Sequence, residues 1–328
     1  MNDDIDSLTQ TRAAATLDAR LFARPLAFFA NGYGDTLLVL PALRALSQRF
    51  EGRLRLIHSA GPHAAVFDEL PLAERLALPL WRGDDQQPAF DLALARGVTE
   101  DADLFVSLTP WRSPSLLNLA RTCPGLKVGY FDDYDLHIRL DRSIHTADSM
   151  FKAAQLFGAG DLERFAGPVR LPQDAAAFIR SIRQAAPAGG RVLCVHLDTL
   201  KSKMCPPQIV ERILTRFLAE HPHYVALVVG TEPQALDLGA WAGRVFDCCG
   251  LALAESFAVV QGADLFLGVD SCMLHMADLS RVPGVGLFGP TAAHEFGFRF
   301  SPGAIVSYAA GDEAAAETAV LELGRRAI

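Results

Sequence analysis

Four short polar stretches, each placed just beyond an apolar run, hold the side chains that could do chemistry. The richest spans residues 263–297, ADLFLGVDSCMLHMADLSRVPGVGLFGPTAAHEFG. It reads as a buried strand (265–269), an Asp270-Ser271 turn, a short helix carrying His275, a second strand (284–288) and the turn Gly289-Pro290-Thr291. A strand running straight into a helix leaves the first helical N–H groups unpaired and aimed at one spot. Those donors and the helix dipole favour a diphosphate there without a metal. In an open α/β sheet that spot is also where ligands bind. The stretch therefore reads as a nucleotide-type site, with Met273 beside the same turn.

The second stretch is Asn31-Gly32-Tyr33-Gly34-Asp35. Gly32 and Gly34 fit G-x-G, but Leu37 stands where a dinucleotide fingerprint needs its third glycine. Asp35 also puts a negative charge where a phosphate loop avoids one. Two readings stand: Asp35 is the N-cap of a helix starting at Thr36, or it is a carboxylate at a cleft edge, poised to accept a proton from a sugar hydroxyl. The third stretch, residues 199–206, contains Thr199 and Lys203 before Pro206 and Pro207 open a helix. A lysine there can neutralise a leaving diphosphate as a point charge, or it is a solvated surface lysine. The fourth is Gly230-Thr231-Glu232-Pro233. Glu232 could accept hydrogen bonds from ribose hydroxyls, or sit in an exposed turn or capping box.

The elements that must position these residues alternate strand-like and helix-like segments, the pattern of parallel α/β architecture. Strands are expected at 26–30, 54–58, 104–108, 127–130, 192–196 and 225–229. Helices are expected at 36–50, 147–157 (closed by Gly158), 174–184, 207–220, 253–261 and 313–326. Pro41 should kink the first helix or mark a tight turn. A Pro-, Gly- and Ala-rich stretch divides the series. The expected organisation is an N-terminal extension (1–24), a first Rossmann-like domain (25–165), a connection (166–190), a second such domain (191–310) and a C-terminal helix (311–328).

The 328 residues suit two domains. Net charge is −8, and residues 1–165 alone hold 17 Lys and Arg against 22 Asp and Glu, a net −5. That balance speaks against a nucleic-acid trough and weakens, without excluding, a polyanionic partner. No apolar run is long enough for a membrane span, so at most peripheral membrane contact is expected. The first 20 residues lack the apolar core of a secretory signal and read as a loosely helical extension. The six cysteines show no zinc spacing and suit small core residues in a reducing cytoplasm.

Taken in order, the motifs resemble glycosyltransferase family 9, the ADP-heptose:lipopolysaccharide heptosyltransferases and their relatives. The resemblance rests on Gly34-Asp35 with the Pro-Ala-Leu-Arg-Ala-Leu of 41–46, on Lys203 to Pro206 as Lys-x-x-Pro, and on Asp270 to His275 as Asp-Ser-x-x-x-His followed by Leu-Phe-Gly-Pro-Thr (287–291). The set runs over residues 25–300. It implies a GT-B fold, α/β with two Rossmann-like domains whose parallel sheets face across a central cleft. It implies Asp35 as general base and Lys203 on the donor phosphates, with Gly34 and Thr199 nearby. Thr231 and Glu232 would lie by the nucleoside. Asp270, Ser271, Met273 and His275 would cradle donor sugar and diphosphate, with Gly289, Pro290 and Thr291 along the same cleft. Asn31, Tyr33 and Arg112 fall on the acceptor side. Three positions depart from the family pattern: the Asn31-Gly32-Tyr33 loop, Cys272 where glycine is usual, and Cys205 where tryptophan often stands.

The resemblance implies a cytoplasmic, metal-independent inverting glycosyltransferase with no cofactor. It would use a nucleotide-sugar as co-substrate, ADP-heptose by resemblance, and act on a glycolipid, small molecule or protein. The alternatives are a sugar-nucleotide epimerase of the same fold or a non-catalytic nucleotide-binding descendant.

Overall fold

The computed structural model describes residues 16–82, 87–185, 190–234, 236–237, 239–308 and 313–326. The expected extension at 1–24 therefore lies mostly outside the described residues. In the first domain the elements are β1 (Pro25–Phe29), α1 (Tyr33–Arg49), β2 (Arg55–Ser59), β3 (Glu74–Leu78), β4 (Trp81–Arg82), β5 (Pro88–Ala89), α2 (Leu92–Thr99), β6 (Leu104–Ser107), α3 (Pro114–Thr122), β7 (Leu126–Gly129), β8 (Leu136–His137) and α4 (Thr146–Gln155). Helix α5 (Gln173–Ala185) leads into β9 (Arg191–His196), α6 (Pro207–Glu220), β10 (Tyr224–Gly230), β11 (Val245–Cys249), α7 (Leu253–Gln261), β12 (Leu265–Val269), α8 (Cys272–Leu279), β13 (Gly284–Phe288), α9 (Ala293–Phe296), β14 (Gly303–Ser307) and α10 (Glu313–Arg326).

Two six-stranded parallel sheets result, ordered β3-β2-β1-β6-β7-β8 and β11-β10-β9-β12-β13-β14. The orders are the same: each chain segment starts in the middle, winds to one edge, then returns and winds to the other. The register at the turning points pairs Leu26 with Phe105 and Phe266 with Cys194. Helices cover both faces, so β1, β6, β10 and β12 are buried along their whole length and read as unbroken apolar runs. Ligands bind at the point where strand order reverses. In the first sheet that is the mouth between β1 and β6; in the second, between β9 and β12.

Several expectations need correcting. Helix α1 begins at Tyr33, three residues earlier than expected, with Gly32 as its N-cap residue. Asp35 is thus inside the first turn and is not the cap. Pro41 is accommodated within the helix. The stretch 166–190 is more than a connection, because α5 packs on α7 as part of the second domain's helical layer. Its start is fastened to the first domain by Arg44, whose guanidinium donates to the carbonyls of Phe165, Gly167 and Pro168. Gly158 does close α4, at φ +75°, where a side chain would be strained. All six cysteines are free thiols; Cys123, Cys194 and Cys205 are buried.

The two domains share their interior. The largest buried cluster joins Leu40, Leu43 and Met150 of the first domain to Val192, Met273 and Met276 of the second, and α1 packs directly on α8. Among the described residues no helix is long and apolar enough to cross a membrane.

Candidate active site

Both reversal points open into one cavity of about 670 Å³ between the domains. From the first domain come Gly32, Tyr33, Gly34 and Asp35, because β1 feeds α1 at its reversal point. From the second come Thr199 and Lys203, carried past the end of β9, and Asp270, Ser271, Met273 and His275 from the β12–α8 junction. The sequence places these groups far apart; the two like-wound sheets bring them together.

Gly34 explains how close the approach is. A Cβ on it would lie 3.1 Å from Cδ2 of His275 and 3.8 Å from the amide nitrogen of Cys272. The N-terminal turn of α1 thus sits against the N-terminal turn of α8, and both present free amides to the cleft. Ser271, the N-cap of α8, makes no capping bond, and its Oγ is buried without a partner, as is Nδ1 of His275. Buried polar atoms are nearly always paired in a folded protein, so these two stand ready for a ligand.

Lys203 Nζ donates to Asp270 Oδ2 at 2.7 Å. Asp270 is almost fully buried, and the Thr199 hydroxyl donates to its carbonyl at 2.9 Å. Tyr308 donates to the Lys203 carbonyl at 2.8 Å, fixing the lysine's backbone. The ammonium is therefore held at the cavity wall. Burial pushes the Asp35 carboxyl up from 3.8 to about 6; Lys203 pulls it back down and Asp270 adds a further rise. Burial also pushes the His275 imidazole down, against the pull of Asp270, so it is neutral near pH 7. Its Nε2 lies 4.0 Å from Asp270 Oδ1, too far for a hydrogen bond.

Other wall residues are absent from the sequence reading. Asp198, just past β9, accepts from both the amide and the hydroxyl of Thr231 and from Gln234. His196 lies beneath, its Nδ1 donating to the Val229 carbonyl at 2.9 Å. Leu251 and Leu253 form an apolar end beside Ser256, and Phe296 of α9 also lines the cavity. Thr231 is on the wall, but Glu232 is exposed and outside it. The bonds from Asp198 hold the loop so that Glu232 falls in an open turn.

Five other candidates lie apart. Gly289, Pro290 and Thr291 are not on the cavity wall; a Cβ on Gly289 would strike the Tyr308 hydroxyl, so its role is close packing. Asn31 is outside too, its carbonyl accepting from Ser59. Arg112 is paired with Asp133 at 2.8 Å, well exposed and off the cavity. Tyr33 is on the rim, stacked on His63 with ring centroids 4.5 Å apart. Among the described residues no cluster of three His, Cys, Asp or Glu could hold a metal ion.

The architecture is similar to that of solved glycosyltransferases. The glycosyl transferase family 9 structure from Veillonella parvula matches with a TM-score of 0.72 and 15% identity, over 95% of this chain and 99% of that one. The E. coli ADP-heptose lps heptosyltransferase II matches at 0.67 and 13% identity, over 92% and 98%. E. coli heptosyltransferase WaaC, solved with ADP, matches at 0.63 and 16% identity, over 92% and 100%. No curated protein matches the sequence. Fold and cleft together define the architecture: two Rossmann-like domains of the GT-B fold. Residues 214–317 match the model of glycosyltransferase family 9 (heptosyltransferase).

Proposed function

We propose that this chain transfers a sugar from a nucleotide-diphospho-sugar, ADP-heptose by its resemblance, to an acceptor hydroxyl with inversion and without a metal. The observation that carries the reading is the shared wall. Asp35 from the first domain lines the same cavity as Lys203, Asp270 and Ser271 from the second.

In this reading the diphosphate lies at the N-terminus of α8, where free amides, Ser271 and Lys203 stabilise the charge that grows as it departs. The nucleoside extends toward Thr231, Leu251 and Leu253. Asp35 takes the proton of the acceptor hydroxyl as its oxygen attacks the anomeric carbon. The new C–O bond forms on the face opposite the diphosphate, whose bond breaks with the electron pair leaving on the phosphate oxygen. Asp270 keeps Lys203 in place and acts through it.

Thermal shift with ADP, UDP, GDP, CDP and their sugars, with and without magnesium, tests the donor. The expected outcome is selective stabilisation by ADP and ADP-heptose, indifferent to magnesium. Preference for another base overturns the heptose reading and keeps the site. No shift with any of them, from folded protein, overturns the enzymatic reading.

A further inference from the structure

We infer that the acceptor is a neutral, hydroxyl-rich ring, and not a polyanion, seated in a second, smaller cavity on the far side of Asp35 between Glu295 and Arg142. The inference rests on the larger cavity being the donor site.

Asp35 and Phe296 each line two cavities: the large one and a neighbour of about 150 Å³. A carboxylate that accepts a proton must reach the hydroxyl directly or through one water. With a nucleotide-sugar in the large cavity, the acceptor must come to Asp35 from the small one. Its size suits one ring rather than an extended chain.

The walls select the chemistry. Besides Asp35, they present Asp141, Arg142 and Glu295 among polar and apolar neighbours that include Ser149 and Leu140. Asp141 is already satisfied. Ser143 donates to it through both amide and hydroxyl, Lys152 donates from 3.3 Å, and its carboxyl is held down at about 2, first by the Ser143 hydroxyl. Among the described residues neither the Arg142 guanidinium nor the Glu295 carboxylate has a side-chain partner. Asp35, Asp141 and Glu295 against Arg142 and the Lys152 that Asp141 holds leave the walls net negative, which disfavours an anion. A cation would meet Arg142 and also Lys203, whose Nζ lies 6.0 Å from the Phe296 ring centroid. A neutral polyol meets neither objection: its hydroxyls donate to Glu295 and accept from Arg142, and Phe296 offers a flat apolar surface to the C–H face of the ring. The acidic balance of the first 165 residues points the same way.

The seat is built from both domains. His145 Nε2 donates to the Gly297 carbonyl and His294 Nε2 to the Arg142 carbonyl, each at 2.9 Å. The Arg142 backbone is thus fixed by the segment that carries Glu295 and Phe296.

The test uses saturation-transfer NMR on the full chain saturated with ADP. The probes are methyl α-D-glucopyranoside, glucose 6-phosphate and glucosamine. The neutral glycoside should bind most tightly. Glu295→Gln and Arg142→Gln should each weaken it about tenfold or more with ADP affinity unchanged, and Arg112→Gln should leave it unaltered. Glu295→Lys should move the preference to glucose 6-phosphate. Tighter binding of glucose 6-phosphate or glucosamine to the parent protein overturns the inference, as does indifference to both Gln variants. Failure of ADP itself to bind is a separate result and removes the donor site on which the inference stands.

Discussion

As the proposed general base, Asp35 would have two tasks that pull in opposite directions: it must be ionised to take a proton, yet basic enough to hold it. Burial sets that compromise by raising its carboxyl to about 6. The sign of the resulting stability effect follows from linkage. Between about pH 4 and 6 the folded chain binds a proton that the unfolded chain has lost, so this group's contribution falls as pH rises through that window. Asp35→Asn should therefore be more stable than the parent at pH 7, by about 1–3 kcal/mol, and lose that advantage at pH 4. Urea unfolding at the two pH values checks it; an equal gap at both would show that the carboxylate is not strained by burial. The same variant should bind ADP normally and transfer no sugar, while the parent's kcat/KM should rise through pH 6. At this scale the sequence was informative about placement: Asp35, Lys203, Asp270 and His275, each on a segment that follows a strand, line one cavity. It misled for Glu232, whose direction is decided by Asp198 on the neighbouring strand. It was silent on Arg142 and Glu295, which enter the site through a contact between domains.

At the scale of elements, legibility followed burial. The interior strands β1, β6, β9, β10, β12 and β13 are mostly apolar runs, β2 and β7 are shorter apolar cores with polar flanks, and all were readable. The four strands at the sheet edges, β3, β8, β11 and β14, were not. Each is partly solvated, and in Glu74–Leu78 and Val245–Cys249 polar residues interrupt the pattern that would betray the strand. Parallel winding then places each edge strand without help from its own sequence. Helix α8 shows how an element is fixed from behind. Asp278, almost wholly buried, accepts the amides of Arg299, Phe300 and Ser301 at 2.8–3.0 Å. That ties α8, and with it Ser271 and His275, to the turn after α9. Asp278→Ala leaves three amides unpaired and should cost about 2–4 kcal/mol, read as a lowered urea midpoint.

On the scale of the whole molecule, two domains of this size commonly unfold separately. Here one buried cluster runs through both, and Arg299 of the second domain grips Asp148 of α4 through two bonds, at 2.7 and 3.1 Å. The domains should therefore unfold together. Trp111 lies in the first domain, its indole donating to the Ala30 carbonyl, and Trp241 in the second. Variants that keep Trp111 or Trp241 as the sole tryptophan, with Trp81 also replaced, should give coincident denaturation midpoints; separated midpoints would show that docking is weaker than the shared core implies.

Phe296 stands in the partition between the two cavities and belongs to the wall of each. A partition shared by two rooms cannot be withdrawn from one alone. Any swing that carries α9 away from α4 unroofs both at the same moment, so under the proposed function the spent nucleotide and the lengthened sugar would gain their exits together, and one gate would set the pace of turnover for both.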